Sequence, residues 1–167
     1  MMRIFKYRFG SRRPSGGFTM LEMMIIVVII GIAAALAAPT LFSAGPRIKA
    51  RAEARNILNM ARLARSKAIS DGAQYGVYLD TGNRRYLLFK NTSNPSLMSY
   101  DNGDSLVSGP VSYSPDLTAN SSFNGDAVVF ISTGRASQSG NFNIDIASGG
   151  ALYTVSVLAS TGRSKLQ

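Results

Sequence analysis

Three hydrophobic periodicities follow one another along the chain. From Phe18 to Ala38 nearly every position is apolar, and Glu22 is the one formal charge among these 21 residues. As a helix rising about 1.5 Å per residue, the run is roughly 30 Å long, enough to cross the hydrocarbon core of a bilayer. From residue 47 to 70 the pattern becomes amphipathic. Ala50, Ala54, Ile57, Ala61, Ala64 and Ala68 recur at spacings of three and four, which places them on one helical face. Arg47, Arg51, Arg55, Arg62 and Arg65 fall in a neighbouring arc of about 80°. Small alanines on the apolar face allow a sheet or a second helix to approach closely. Asp71-Gly72 is the expected stop, with glycine suited to the left-handed residue that closes a helix. Pro39 and Gly45-Pro46 are expected to kink or interrupt the helical stretch.

Beyond Gly72 the period falls to two. Tyr75 to Asp80 and Arg84 to Lys90 are expected strands around Asp80-Thr81-Gly82-Asn83, a hairpin signal. Asn91 to Asn124 is rich in Ser, Asn, Asp, Gly and Pro, with one strand expected near Leu106 to Tyr113 and a loop from Ser114 to Gly125. Ala127 to Ile131 reads as a short buried strand. Phe142, Ile144 and Ile146 alternate, Ser148-Gly149-Gly150 turns the chain, and Tyr153, Val155 and Val157 alternate back. The expected fold class is α+β: a long N-terminal helix, transmembrane and then amphipathic, packed on one face of an antiparallel sheet. The expected divisions are 1–17 as a basic leader, 18–38 as a span, 39–71 as an amphipathic helix and 72–167 as a β-rich domain. A chain of 167 residues accommodates one span and one small domain.

The net charge of +9 changes meaning once it is located. Five positives, Arg3, Lys6, Arg8, Arg12 and Arg13, precede the span and favour a cytoplasmic N-terminus. Without them, 13 basic residues face nine acidic ones. Residues 47–67 hold seven basic residues against Glu53 alone, while residues 72–167 balance at six of each sign. The basic character is therefore a leader and a helix face, which removes most of the case for a nucleic-acid-binding globular surface. The helix stripe is open to a solvated face, to acidic surfaces of neighbouring subunits, or to an anionic polymer. Cysteine and histidine are both absent, so thiol chemistry and the commonest general base are excluded. Asp101, Asp104, Asp116 and Asp126 lie in loop sequence without metal-ligand spacing, and read as turn and surface carboxylates. No enzymatic activity and no cofactor are expected.

Glu22 near the start of an apolar span is costly, of order 2.5–3.5 kcal/mol at mid-bilayer, and is a functional candidate for that reason. Its context, Gly17-Phe18-Thr19-Met20-Leu21-Glu22 followed by the apolar run and Pro39, resembles the N-terminus of type IV prepilins and type II secretion pseudopilins. The resemblance implies cleavage between Gly17 and Phe18 by a membrane prepilin peptidase, N-methylation of the new Phe18 amine, and a role in assembly for Glu22. A positive amine buried at membrane depth needs an anionic partner, and Glu22 needs a cationic one. In the family's filaments the glutamate of one subunit meets the amine of its neighbour.

Phe130-Ile131-Ser132-Thr133-Gly134-Arg135, and Val155 to Arg163 with its own Thr161-Gly162-Arg163, resemble the pseudopilin H and FimT group. Each Gly-Arg is read first as a turn with glycine at positive φ. In FimT-like proteins a basic Gly-Arg-x-Arg-like tail is implicated in DNA contact, which makes Arg163 and Lys165 candidates. Here lysine stands in the last position, and no aromatic residue interleaves to stack bases. The resemblance implies a minor pseudopilin of type II secretion. It would sit in the inner membrane with its domain in the periplasm, partnered by other pseudopilins or pilins, the prepilin peptidase/methyltransferase and the assembly platform. The alternative is a FimT-like minor pilin of a type IV pilus, with DNA as a partner in that reading alone.

Overall fold

A computed structural model of the chain describes residues 17–149 and 152–167. The five leader positives and Gly150 lie outside the described residues. Packing divides the chain into two units, Met1–Leu41 and Phe42–Gln167.

Helix α1 runs over Met20–Asp71 and contributes to both units. The breaks expected at Pro39 and Gly45-Pro46 do not occur, and the helix is assigned continuously through them. Each proline removes one N–H donor, whereas the flanking turns keep their own bonds and are rich in alanine, the best helix former. Gly45 stands in open space, so no contact forces a break there. In the first unit the described apolar side chains of α1 from Met20 to Leu36 are exposed within the chain. Such a surface needs a bilayer or other helices around it.

In the second unit the alanine face behaves as its spacing requires. Ala50, Ala54, Ile57, Ala61, Ala64 and Ala68 are all buried. α1 ends at Asp71, and Gly72 takes φ +63°. Strands β1 (Tyr75–Asp80) and β2 (Arg85–Lys90) form the expected hairpin. β2 begins one residue later than the alternation suggested because Arg84 sits at φ +53° and belongs to the turn. The Asp80 carboxylate closes that turn, accepting from the Asn83 backbone N–H at 3.0 Å, Asn83 Nδ2 at 2.8 Å and Arg85 Nε at 2.8 Å.

β3 (Ser105–Ser112), β4 (Leu117–Ser121), β5 (Ala127–Phe130), β6 (Gly140–Ile146), β7 (Tyr153–Val157) and β8 (Ser164–Leu166) complete the fold. They build two antiparallel four-stranded sheets, ordered β3-β2-β1-β5 and β4-β6-β7-β8, where the sequence had suggested one. The second sheet arises because β4 pairs with β6, from Leu117 opposite Ile146 to Ser121 opposite Phe142. The segment expected to be a loop from Ser114 to Gly125 therefore contains β4 and a 3-10 turn at Asn124–Asp126. Of β4 only Leu117 is fully buried, so its polar residues carried no strand signal and its register comes from β6. The main core joins the alanine face to Val77, Leu79, Tyr86, Leu88 and Phe130 of the first sheet and Phe142, Ile144, Val155 and Val157 of the second.

The first sheet is covered on its other face as well. Leu87, Phe89, Ala127 and Val129 cluster there with Tyr78 and Tyr100. Tyr100, from the 91–104 connection, stacks on Tyr78 with ring centroids 4.6 Å apart and meets Phe89 edge-on at 5.1 Å. The Phe89 ring crosses Gly76 so closely that a Cβ there would lie 2.7 Å from its Cε1.

Candidate functional site

Two groups of residues carry chemistry beyond packing. The first is the start of α1. Thr19 precedes the helix, and the Glu22 N–H of the first turn is shared between Thr19 Oγ1 at 3.2 Å and Thr19 O at 3.1 Å, an N-terminal side-chain cap. Thr19-x-x-Glu22 has the capping-box spacing, a local signal that the same residues' resemblance to a cleavage and charge-pairing motif overshadows. The Glu22 carboxylate, in the first turn, lies where the helix dipole favours negative charge. It is exposed and has no ion pair among the described residues. Phe18 is 68% exposed, and Gly17 has nothing within 4 Å of where a Cβ would stand. The fold of this chain therefore places no steric demand for glycine at position 17.

The second group forms where the two Thr-Gly-Arg triplets meet α1. In the first triplet Gly134 takes φ +78°, its N–H bonding to the Ile131 carbonyl at 2.8 Å while the Ile131 N–H reaches Arg135 O at 3.0 Å. In the second, Gly162 takes φ +62°, its N–H bonding to Leu158 O at 2.8 Å. Both glycines thus adopt the turn conformation expected of them. Two further bonds dock the turns together, from Ala136 N–H to Ala159 O at 3.0 Å and from Ala159 N–H to Ser139 Oγ at 2.8 Å. Arg65 of α1 then bolts the pair to the helix, its Nε donating to Gly134 O at 2.9 Å. A Cβ on Gly162 would be driven into that same carbonyl oxygen and to 3.0 Å from Arg65 Nε.

This arrangement leaves a surface cleft of about 400 Å³ lined by Arg62, Arg65, Ser66, Ile69, Gly162, Arg163 and Ser164. The lining contains three guanidinium groups and no carboxylate. Arg163 is in the cleft, whereas Lys165 is exposed on β8 and does not line it, so the structure separates the two tail candidates. The sequence reading had Arg62 and Arg65 on the helix stripe and Arg163 on the tail, with no signal joining them.

The rest of the stripe is largely unneutralised. Lys49 pairs with Asp116 at 3.0 Å, and this bond holds the Asp116 carboxyl below its ordinary range. Glu53, the sole acidic residue among the helix basics, is engaged elsewhere and accepts from the Tyr86 hydroxyl at 2.7 Å. Burial, and then that bond, push the Tyr86 phenol well above its usual range. Arg47, Arg51, Arg55 and Arg62 are exposed and form no ion pair among the described residues.

The remaining loop carboxylates serve turns, as expected. Asp104 Oδ1 accepts from the backbone of Thr92 and Ser93 at 2.9 and 3.1 Å, Asp101 accepts the Gly103 N–H at 2.6 Å, and Asp126 accepts from Ser121 Oγ at 2.7 Å. Among the described residues, no three Asp, Glu, His or Cys side chains come together as a metal site.

Comparison with known proteins adds two sequence matches. Residues 53–161 match the family described as Type II transport protein GspH, and residues 12–38 match the prokaryotic N-terminal methylation motif. No curated protein matches the sequence significantly. Among solved structures, the minor pseudopilin EpsH from the type 2 secretion system of Vibrio cholerae superposes with a TM-score of 0.57 at 16% identity, over 71% of this chain and 96% of that one. The type IV minor pilin FimU of Pseudomonas aeruginosa gives 0.53 at 17% identity, over 72% and 90%. At these identities the likeness is one of fold.

Proposed function

Because the chain belongs to the GspH family of type II transport proteins, whose members are structural pseudopilins, we propose that it works as a minor subunit of a type II secretion pseudopilus. The observation that carries the proposal is the start of α1. Gly17 and Phe18 are exposed, Glu22 lacks an ionic partner among the described residues, and the apolar surface from Met20 to Ala37 is unburied.

In this reading residues 1–17 are a cytoplasmic leader removed by prepilin peptidase between Gly17 and Phe18. Residues 18–38 span the inner membrane, and the helix and sheet domain from 39 onward stands in the periplasm. The Phe18 amine is methylated, which keeps its positive charge. Glu22 then has two uses. Within its own subunit the carboxylate sits favourably against the positive end of α1. During assembly it meets the Phe18 amine of a neighbour, and the apolar face passes from lipid to helix–helix contact. The chain's task is mechanical, with no reaction of its own.

The test is the N-terminal mass of the full protein recovered from membranes. N-methylated Phe18 as first residue is the expected result. A start at Met1 or Met2, in cells that process a control prepilin, overturns the reading and leaves a single-span anchor with a sheet domain. The fold shared with FimU favours a second reading, a minor pilin of a type IV pilus. It predicts the same N-terminus but loss of piliation, with secretion intact, on deletion.

A further inference from the structure

The cleft beside the C-terminal turn is assembled from distant parts of the chain. Arg62, Arg65 and Ile69 come from α1, and Arg163 and Ser164 from the turn into β8. Two glycines at positive φ and the Arg65 bond to Gly134 O hold that turn against the helix. The result crowds three like charges into one concavity with no acidic residue on its wall. Arg62 and Arg163 have no carboxylate partner among the described residues, and Arg65 uses Nε for Gly134, which leaves its terminal amino groups. The Ser164 hydroxyl oxygen is shielded from solvent and has no hydrogen-bond partner among the described residues. The Ser164 hydroxyl is a buried group without a partner, the exposed Arg62 and Arg163 are solvated and free to exchange water for an incoming acceptor, and a carboxylate accepts from both kinds, bidentately from arginine.

We propose that this cleft receives an acidic side chain with an apolar neighbour, carried by the adjacent subunit of the filament. The proposal rests on the filament reading above and names a contact within it. The apolar neighbour follows from Ile69, half exposed on the cleft wall among the charges. A peptide carrying Asp or Glu beside an aliphatic residue satisfies the guanidiniums, the Ser66 and Ser164 hydroxyls and the Ile69 surface together. A nucleic-acid strand fits less well. The lining has no aromatic residue for base stacking, and Lys165, the other cation of the tail, lies outside it.

The test places a photo-reactive amino acid at Ile69 in the full chain, in membranes of cells that assemble the filament. A second probe at Val28 in the apolar helix serves as reference. The expected product joins Ile69 to a peptide of another subunit that contains Asp or Glu beside an aliphatic residue. Its yield falls about tenfold in Arg62→Glu and Arg163→Glu, because a rim attraction becomes a repulsion. Replacing the mapped acidic residue by Lys restores the yield in those variants. Arg51→Glu, on the same helix outside the cleft, leaves it unchanged. A product with nucleic acid, a peptide without an acidic residue, or a yield indifferent to both Arg62→Glu and Arg163→Glu overturns the proposal. If Val28 couples to filament subunits and Ile69 does not, the cleft assignment fails and the filament reading stands. If neither couples, both fail.

Discussion

Gly162→Ala separates two reasons for a glycine, conformation and close approach. Gly162 sits at φ +62°, where a side chain costs about 1–2 kcal/mol. A Cβ would also be driven into Gly134 O, which is backbone and cannot rotate aside. Relief requires the two turns to part, weakening the Arg65 bond to Gly134 O, a charge-assisted bond worth about 1.5–3 kcal/mol. The combined loss is roughly 3–5 kcal/mol, about a fifth or more of the stability of an ordinary domain. For a unit of this size that corresponds to a fall in Tm of roughly 10–20 °C. Gly149→Ala supplies the comparison. Gly149 has φ +84° and nothing within 4 Å of its missing Cβ, so only the conformational term remains, a shift of roughly 3–8 °C. Calorimetry of the detergent-solubilised full chains measures both. Equal shifts for the two variants, or a shift below about 3 °C for Gly162→Ala, would refute the close-approach argument.

Gly17→Ala should fold as the parent does, because a Cβ there meets nothing, yet remain uncleaved; migration on a gel beside the mature form would remove the assigned cleavage site. Glu22→Gln should be inserted and cleaved normally but assemble poorly, since the neutral amide cannot neutralise an amine at membrane depth. Normal recovery in sheared filaments would count against charge pairing. Asp80→Asn should destabilise the domain by about 1–2 kcal/mol at neutral pH through weaker bonds to Asn83 and Arg85. Burial opposes ionisation of Asp80, but the Asn83 and Arg85 bonds outweigh it and lower the folded-state value. Its stabilisation is therefore complete above the unfolded value near 3.8 and is lost as pH falls through the lower folded value. Chemical denaturation between pH 2 and 7 should show a flatter acid limb for the variant; parallel curves would exclude Asp80 as a contributor.

The legible parts of the chain were those in which one physical demand dominated. The alanine face, the Asp71-Gly72 stop and the hairpin around Asp80 each follow from local spacing, and each stands where the sequence placed it. β4 was hidden because Thr118 and Asn120 are exposed and Ala119 is small and only partly buried, so pairing with β6 is what makes a strand of them. β8 is three residues long and was equally silent. The split into two sheets is a question of which strand pairs with which, and alternation does not encode it. The cleft was half visible. Its arginines were noted on the helix and on the tail, but the Arg65 bond to Gly134 O joins residues 69 positions apart. The tail resemblance grouped Arg163 with Lys165, two residues on, whereas the fold sets it beside Arg62 and Arg65 in the cleft.

That difference bears on how the molecule divides its labour. In the first unit α1 exposes large aliphatic side chains, and in the second it buries alanines against two sheets. The two stretches of one helix therefore have opposite requirements. Bulky side chains suit an environment that changes from lipid to protein, because dispersion contacts of similar strength are available in both. Alanines suit a permanent close contact, where a larger side chain would force α1 off the strands and add strain rather than burial. In the proposed pseudopilus the aliphatic surface would pass from lipid to protein, and such a surface is a poor source of specific recognition. Under that proposal, recognition would fall to the polar features, Glu22 near the start of α1 and the cleft of Arg62, Arg65 and Arg163. A filament subunit with an apolar helix of low specificity would need such charged contacts to fix which neighbour it meets and at what register.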